Sequence, residues 1–95
     1  MNYLLILERT GPRWDPAVPL REQWRWDEHA EFMDGLVDSG FIVLGGPLED
    51  AVRTAHVVSA ESKDEIRDTM ARDPWSDSVL RIHSIDEWTI LLDGR

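Results

Sequence analysis

Cysteine is absent from the 95 residues, so neither a disulfide framework nor a Cys-based zinc site is possible. Long apolar runs are missing too. The run at Tyr3–Leu7, in "MNYLLILERTGP", is too short for the apolar core of a signal peptide and far too short to cross a bilayer, and no basic leader precedes it. A soluble cytoplasmic protein with no membrane partner is therefore expected. Positive charge is scarce: 10 Lys and Arg stand against 19 Asp and Glu, giving a formal charge of −9. No Lys/Arg cluster offsets that field locally, so phosphate backbones and anionic lipid are repelled and no nucleic-acid partner is expected. Motifs of several chemistries are missing as well. No GxSxG elbow provides a nucleophilic serine. "GFIVLGGP" (40–47) lacks the following helix and the Lys or Ser/Thr that a phosphate loop requires. His29, His56 and His83 form neither an HxH nor an i, i+4 pair, so no metal and no cofactor is expected; His56 and His83 read as sheet-surface residues.

What is present fits a single folded domain over residues 1–95, with 42% hydrophobic and 31% charged residues. A chain of this size buries only about 60–65% of its unfolded surface, so association with a second copy would help it. Five tryptophans are many for this length, and Trp lines pockets and interfaces.

Tyr3–Glu8 reads as a strand. Residues 9–21, "RTGPRWDPAVPLR", hold three of the five prolines and form a long loop, whose Trp14 suggests that it folds back over something. A helix is expected over 22–39, with Gly40 in the left-handed position just past its end. Phe41–Leu44 is a strand stopped by "GGP", and 51–60 is a third. Ser62 and Glu65 form a capping box opening a second helix, which runs to about Arg72 and stops at Asp73-Pro74. Val79–Leu92 is strand-like again, with an irregularity around "SIDE". The order β-α-β-β-α-β predicts an α+β, ferredoxin-like fold with a four-stranded antiparallel sheet. "YLLIL", "FIVL" and "TILL" are apolar on both alternating faces, yet two helices cover only one face of a sheet. The other face is expected to meet a second copy, giving a sheet-to-sheet homodimer.

"WDEHAEFM" (26–33) raises the chemical question. Trp26, Ala30, Met33 and Val37 make one helical row, while His29, Phe32 and Leu36 make another, with an imidazole where an aliphatic side chain would pack. In the second helix Ile66 and Met70 are followed, one turn on, by Asp73. Both helices lie on the same side of such a sheet, so His29 and Asp73 are placed to converge. A buried carboxylate needs a partner, and a His–Asp pair fixes the imidazole tautomer and leaves the other ring nitrogen toward a pocket. An Asp before Pro also caps the next turn, and the two roles are compatible. The Gly45–Gly46–Pro47 turn would let a ligand approach the backbone, although glycine pairs more often mark a turn or bulge. Trp75 and Trp88 could wall a pocket or pack in a core or interface. Arg21 and Arg25 lie near enough to contribute a cation.

Three stretches together, "HAEFMDGLVDSGFIVLGGP", "ARDPW" and "IDEW", resemble the YciI-like (YCII-related) family in motif, order and separation, over Tyr3 to Leu92. The resemblance implies a ferredoxin-like fold dimerising into an α+β barrel, similar in build to muconolactone isomerases and small haem-degrading monooxygenases. It also implies a catalytic dyad, which maps onto His29 and Asp73. The better-understood family chemistry is proton transfer on small ring compounds, including chloride elimination from a chlorinated hydroxyhydroquinone. The Pro-rich stretch "RTGPRWDPAVPLREQWRW" is bulkier than the short link of the smallest members, and no substrate is carried across it.

The leading expectation is a dimeric, cofactor-independent lyase or isomerase acting on a small apolar or cyclic metabolite. His29 and Asp73 would be its catalytic residues, and Gly45, Gly46, Pro47 and Trp75 would line the substrate site. The alternatives are a non-catalytic small-ligand-binding dimer, whose imidazole would have both nitrogens held by protein groups, and a purely structural protein, with His29 and Asp73 solvated and far apart.

Overall fold

The computed structural model describes residues 1–95. In chain order the elements are β1 (Asn2–Glu8), a 3-10 turn (Leu20–Glu22), α1 (Trp26–Asp38), β2 (Ile42–Pro47), β3 (Arg53–Ser59), α2 (Lys63–Met70) and β4 (Arg81–Glu87). The strands form one antiparallel sheet in the order β2-β3-β1-β4. This α+β architecture, four antiparallel strands and two helices, is compatible with the ferredoxin-like arrangement.

Strand alternation decides where the core lies. Tyr3, Leu5 and Leu7 of β1 are buried, whereas Leu4 and Ile6 on the opposite face are only half-buried. Across the ladder, Tyr3 faces Val58, Leu5 faces His56 and Leu7 faces Thr54, so the same face of β3 carries Val58, His56 and Thr54. Ile66 and Met70 of α2 close over this face together with Trp75, Val79 and Leu80. From α1, Trp26, Phe32, Met33 and Leu36 pack against the core, and His29 is that helix's one buried residue.

Several boundaries differ from those expected, each for a physical reason. The first helix begins at Trp26 rather than at residue 22, because Gln23 is tied elsewhere. The Gln23 amide donates to the Asp15 carbonyl (2.6 Å) and the Val18 carbonyl (2.8 Å) and accepts from the Asp15 amide (3.1 Å). Gln23 is extended, and Arg25 turns the chain with φ 54°, ψ 34° before α1 starts. These bonds, with the Arg9 guanidinium over Trp14 and Arg13 over Trp24, fold the 9–24 segment on itself. The Gly11 and Arg13 amides tie it to the body of the fold by donating to the Val79 (3.1 Å) and Ser78 (2.7 Å) carbonyls. Gly40 has φ 82°, the left-handed conformation expected there. α2 ends at Met70, short of Arg72. Its Ser62 hydroxyl accepts from the Glu65 amide (3.1 Å), while the Glu65 carboxylate accepts from the Glu61 amide instead of from Ser62. β4 stops at Glu87, and its register shifts around His83, next to "SIDE". Thr89–Leu92 forms no strand, and Leu91 and Leu92 are exposed.

The largest difference concerns β2. It does not stop at Leu44 but runs through Gly45 and Gly46 to Pro47, pairing with β3. Neither glycine has a positive φ. Gly45 lies opposite His56, and a Cβ there would sit 2.5 Å from His56 Cδ2, so the missing side chain makes room for the imidazole. Gly45→Ala is expected to cost about 1–3 kcal/mol, because the buried ring cannot move freely aside. Gly46→Ala, with no atom within 4 Å of its added Cβ, should stay within about 0.5 kcal/mol of wild type. Urea midpoints at unchanged slope measure both.

Candidate active site

The site starts from two chain breaks. α1 opens after the Arg25 turn, which places His29 in the first turns of the helix, facing inward. α2 closes where the Asp73 amide donates to the Met70 carbonyl (3.1 Å), and Pro74 prevents continuation. The two side chains meet there. His29 Nδ1 lies 3.0 Å from Asp73 Oδ1 and 2.8 Å from Oδ2, and both residues are buried. Asp73 Oδ1 also accepts from the Trp75 amide at 3.0 Å, so the carboxylate caps the next turn while it holds the imidazole.

Trp75 fixes the ring's plane. It is 1% exposed and stacks on His29 with centroids 3.9 Å apart and planes 5° from parallel. Its indole N–H donates to the Trp24 carbonyl, anchoring it to the segment before α1. Trp26 tilts over both rings, 5.8 Å from His29 and 5.7 Å from Trp75. Facing a carboxylate, Nδ1 is the donor, which leaves the lone pair on Nε2. Nε2 has no protein partner.

The imidazole borders a cavity of about 470 Å³ between α1, β2 and β3. His29, Gly45, Gly46, Pro47 and Trp75 all line it, with Leu20, Trp26, Met33 and Leu80 supplying apolar wall. Leu20 belongs to the loop-borne 3-10 turn, so the 9–21 region closes one side. Asp73 stands behind the imidazole and does not line the cavity. Trp88 and both suggested arginines are absent from the lining. Arg21 is exposed, and Arg25 pairs with Glu28 (Nε–Oε2 2.8 Å).

Four polar lining residues escaped the sequence reading: Arg9, Asp34, Thr54 and His56. His83 is half-exposed beside Glu8, as expected of a surface residue. His56 is not a surface residue. It is 7% exposed and turned toward the helices, because its neighbour on β1 is the core residue Leu5. The available signal was the alternation in "RTAHVVS", which puts Thr54, His56 and Val58 on one face of a central strand.

Burial lowers the His56 pKa below its ordinary value; a contact with the Leu5 backbone opposes the shift, and the nearby His29 adds to it. The folded protein therefore binds fewer protons at this site than the unfolded chain. Its contribution to stability is complete above about pH 6.5 and is lost as pH falls from there toward the lowered folded value. His56→Gln should reduce the difference between urea midpoints measured at pH 7.5 and pH 5.5.

No three His, Asp or Glu side chains converge as a metal-binding group, and no helix is long and apolar enough to cross a membrane. No family model, curated protein or solved structure matches the chain.

Proposed function

We propose that the chain is a small enzyme of lyase or isomerase type that moves a proton on a small, mostly apolar or cyclic metabolite, without a cofactor. The observation that carries this reading is the state of one side chain. His29 is held at Nδ1 by Asp73 and clamped flat by Trp75, and its Nε2 has no protein partner beside a cavity of ligand size. A binding module would need no oriented base, and an imidazole held at both nitrogens would have favoured that alternative.

In the proposed reaction Nε2 takes a proton from an acidic C–H or O–H of the substrate. Asp73 stabilises the imidazolium that forms. Return of the proton to another carbon completes an isomerisation. Expulsion of a leaving group such as chloride by the substrate's electron pair completes an elimination, after which His29 releases its proton to water. Gly45, Gly46, Pro47 and Trp75 bound the space the substrate occupies. The test is turnover of catechols, lactones and chloro-quinols by wild type and His29→Ala. Equal turnover removes the role of His29.

The same reading makes the chain a YciI-like protein and a homodimer. What supports the dimer is the sheet face away from the helices, where Leu4, Val57 and Leu44 lie side by side across three strands, next to Ile6 and Ala55. Val57→Glu should convert a species of twice the 11.0 kDa chain mass into a monomer in sedimentation velocity. A wild-type monomer would contradict the dimer.

A further inference from the structure

Buried polar atoms in folded proteins nearly always have partners. In this molecule three buried side-chain atoms make no hydrogen bond of good geometry: Arg9 Nε, Thr54 Oγ1 and His56 Nδ1, although the His56 ring lies within reach of the Leu5 backbone. All three residues line the cavity that His29 borders. They also share one sheet face. Leu7 pairs with Thr54 and Leu5 with His56, and the ladder continues where the Arg9 amide donates to the Val52 carbonyl (2.7 Å). Arg9, Thr54 and His56 thus follow the sheet surface beneath the cavity, while His29 and Trp75 approach it from the helix side.

We propose that Arg9, Thr54 and His56 form a polar subsite that binds the carboxylate of the substrate, leaving its apolar body toward His29 and Trp75. This rests on the proton-transfer reading of the same cavity and narrows its substrate class to small organic acids. Each orphan atom can supply a donor: the Arg9 Nε–H, the Thr54 hydroxyl and, in one tautomer, the His56 Nδ1–H. Arg9 is pre-placed, with Nη1 bonded to the Ala51 carbonyl (3.2 Å) and its guanidinium over Trp14. It forms no ion pair, because Asp50, whose charge acts on it, is bound to Arg53. Gly45 leaves the space in which the His56 ring stands. Arg9 is the one Lys or Arg lining the cavity, which Asp34 lines too, and in a chain of charge −9 that balance favours a monoanion over a phosphate dianion.

Benzoate and cyclohexanecarboxylate are the probes, with benzamide as the uncharged control, titrated into the whole chain and followed by backbone amide NMR. The expected result is saturable binding of both acids to wild type, with shifts at the Thr54 and His56 amides, and at least tenfold weaker binding of benzamide. Arg9→Gln and Thr54→Val should each weaken acid binding about tenfold, and Arg9→Lys should recover part of the loss. Equal binding of benzoate and benzamide, acid binding unaffected by Arg9→Gln, or no acid binding by wild type would overturn the subsite. If a variant fails to fold, the wild-type shifts and the acid–amide difference still decide. Acid binding at these residues without turnover of any acid would count against the proton-transfer reading and support the subsite. Turnover of neutral ring compounds without preference for acids would do the reverse.

Discussion

His29→Gln is expected to lower turnover by about 10²–10⁴, the contribution usual for a positioned general acid or base, equivalent to about 2.7–5.5 kcal/mol of barrier. Glutamine suits the test because its amide can still donate to Asp73 and occupy much of the ring's space, so the fold is retained while the titrating nitrogen is lost. Asp73→Asn should act in the same direction by another route. The asparagine can keep accepting from the Trp75 amide, but its NH₂ faces Nδ1 and moves the imidazole proton to Nε2. The base at the cavity then disappears without loss of the ring. Steady-state kinetics with circular dichroism as a folding check separate these effects from unfolding. Wild-type turnover in both variants would leave the pair with a structural role only.

Trp75→Ala is expected to destabilise the fold by about 3–5 kcal/mol, the range for deleting a buried aromatic side chain. For a domain this small that is a Tm loss of well over about 10 °C. Trp75 belongs to the core cluster with Val79 and Leu80 and is almost fully buried. The substitution also leaves the Trp24 carbonyl without its indole donor and removes the surface on which His29 lies flat. Trp75→Phe should recover most of the packing but neither the indole hydrogen bond nor the full stack, so it should fall between wild type and alanine in calorimetry. A Trp75→Ala loss below about 1 kcal/mol would contradict the central packing role given to this ring.

Local signals carried much of this architecture, since the element order follows from short-range patterns such as the Ser62–Glu65 cap and Gly40. The approach of His29 to Asp73 was legible because two unusual placements, one per helix, need each other energetically. What was illegible depended on contacts distant in sequence. The start of α1 is set by Gln23 bonding back to Asp15 and Val18. β2 continues through its glycines because the space opposite His56 has to be left open, a fact about β3. Thr89–Leu92 has a strand's composition without a partner strand. His56 was misplaced for a related reason: alternation shows that Thr54, His56 and Val58 share a face, but not that this face meets the helices. Arg9 lies just beyond β1, where strand periodicity gives no guidance, and only the continued pairing with Val52 brings it to the cavity.

The central claim, that Nε2 of His29 exchanges a proton with a molecule in the cavity, is tested most directly by wash-in of solvent deuterium. Wild type and His29→Gln would be incubated in D₂O with catechols, lactones and chloro-quinols, both neutral and bearing a carboxylate, and label at carbon read by NMR. The account predicts that wild type labels at least one of these compounds and that His29→Gln does so at least a hundredfold more slowly. Equal labelling by the two proteins, or none by wild type across the panel, would contradict it.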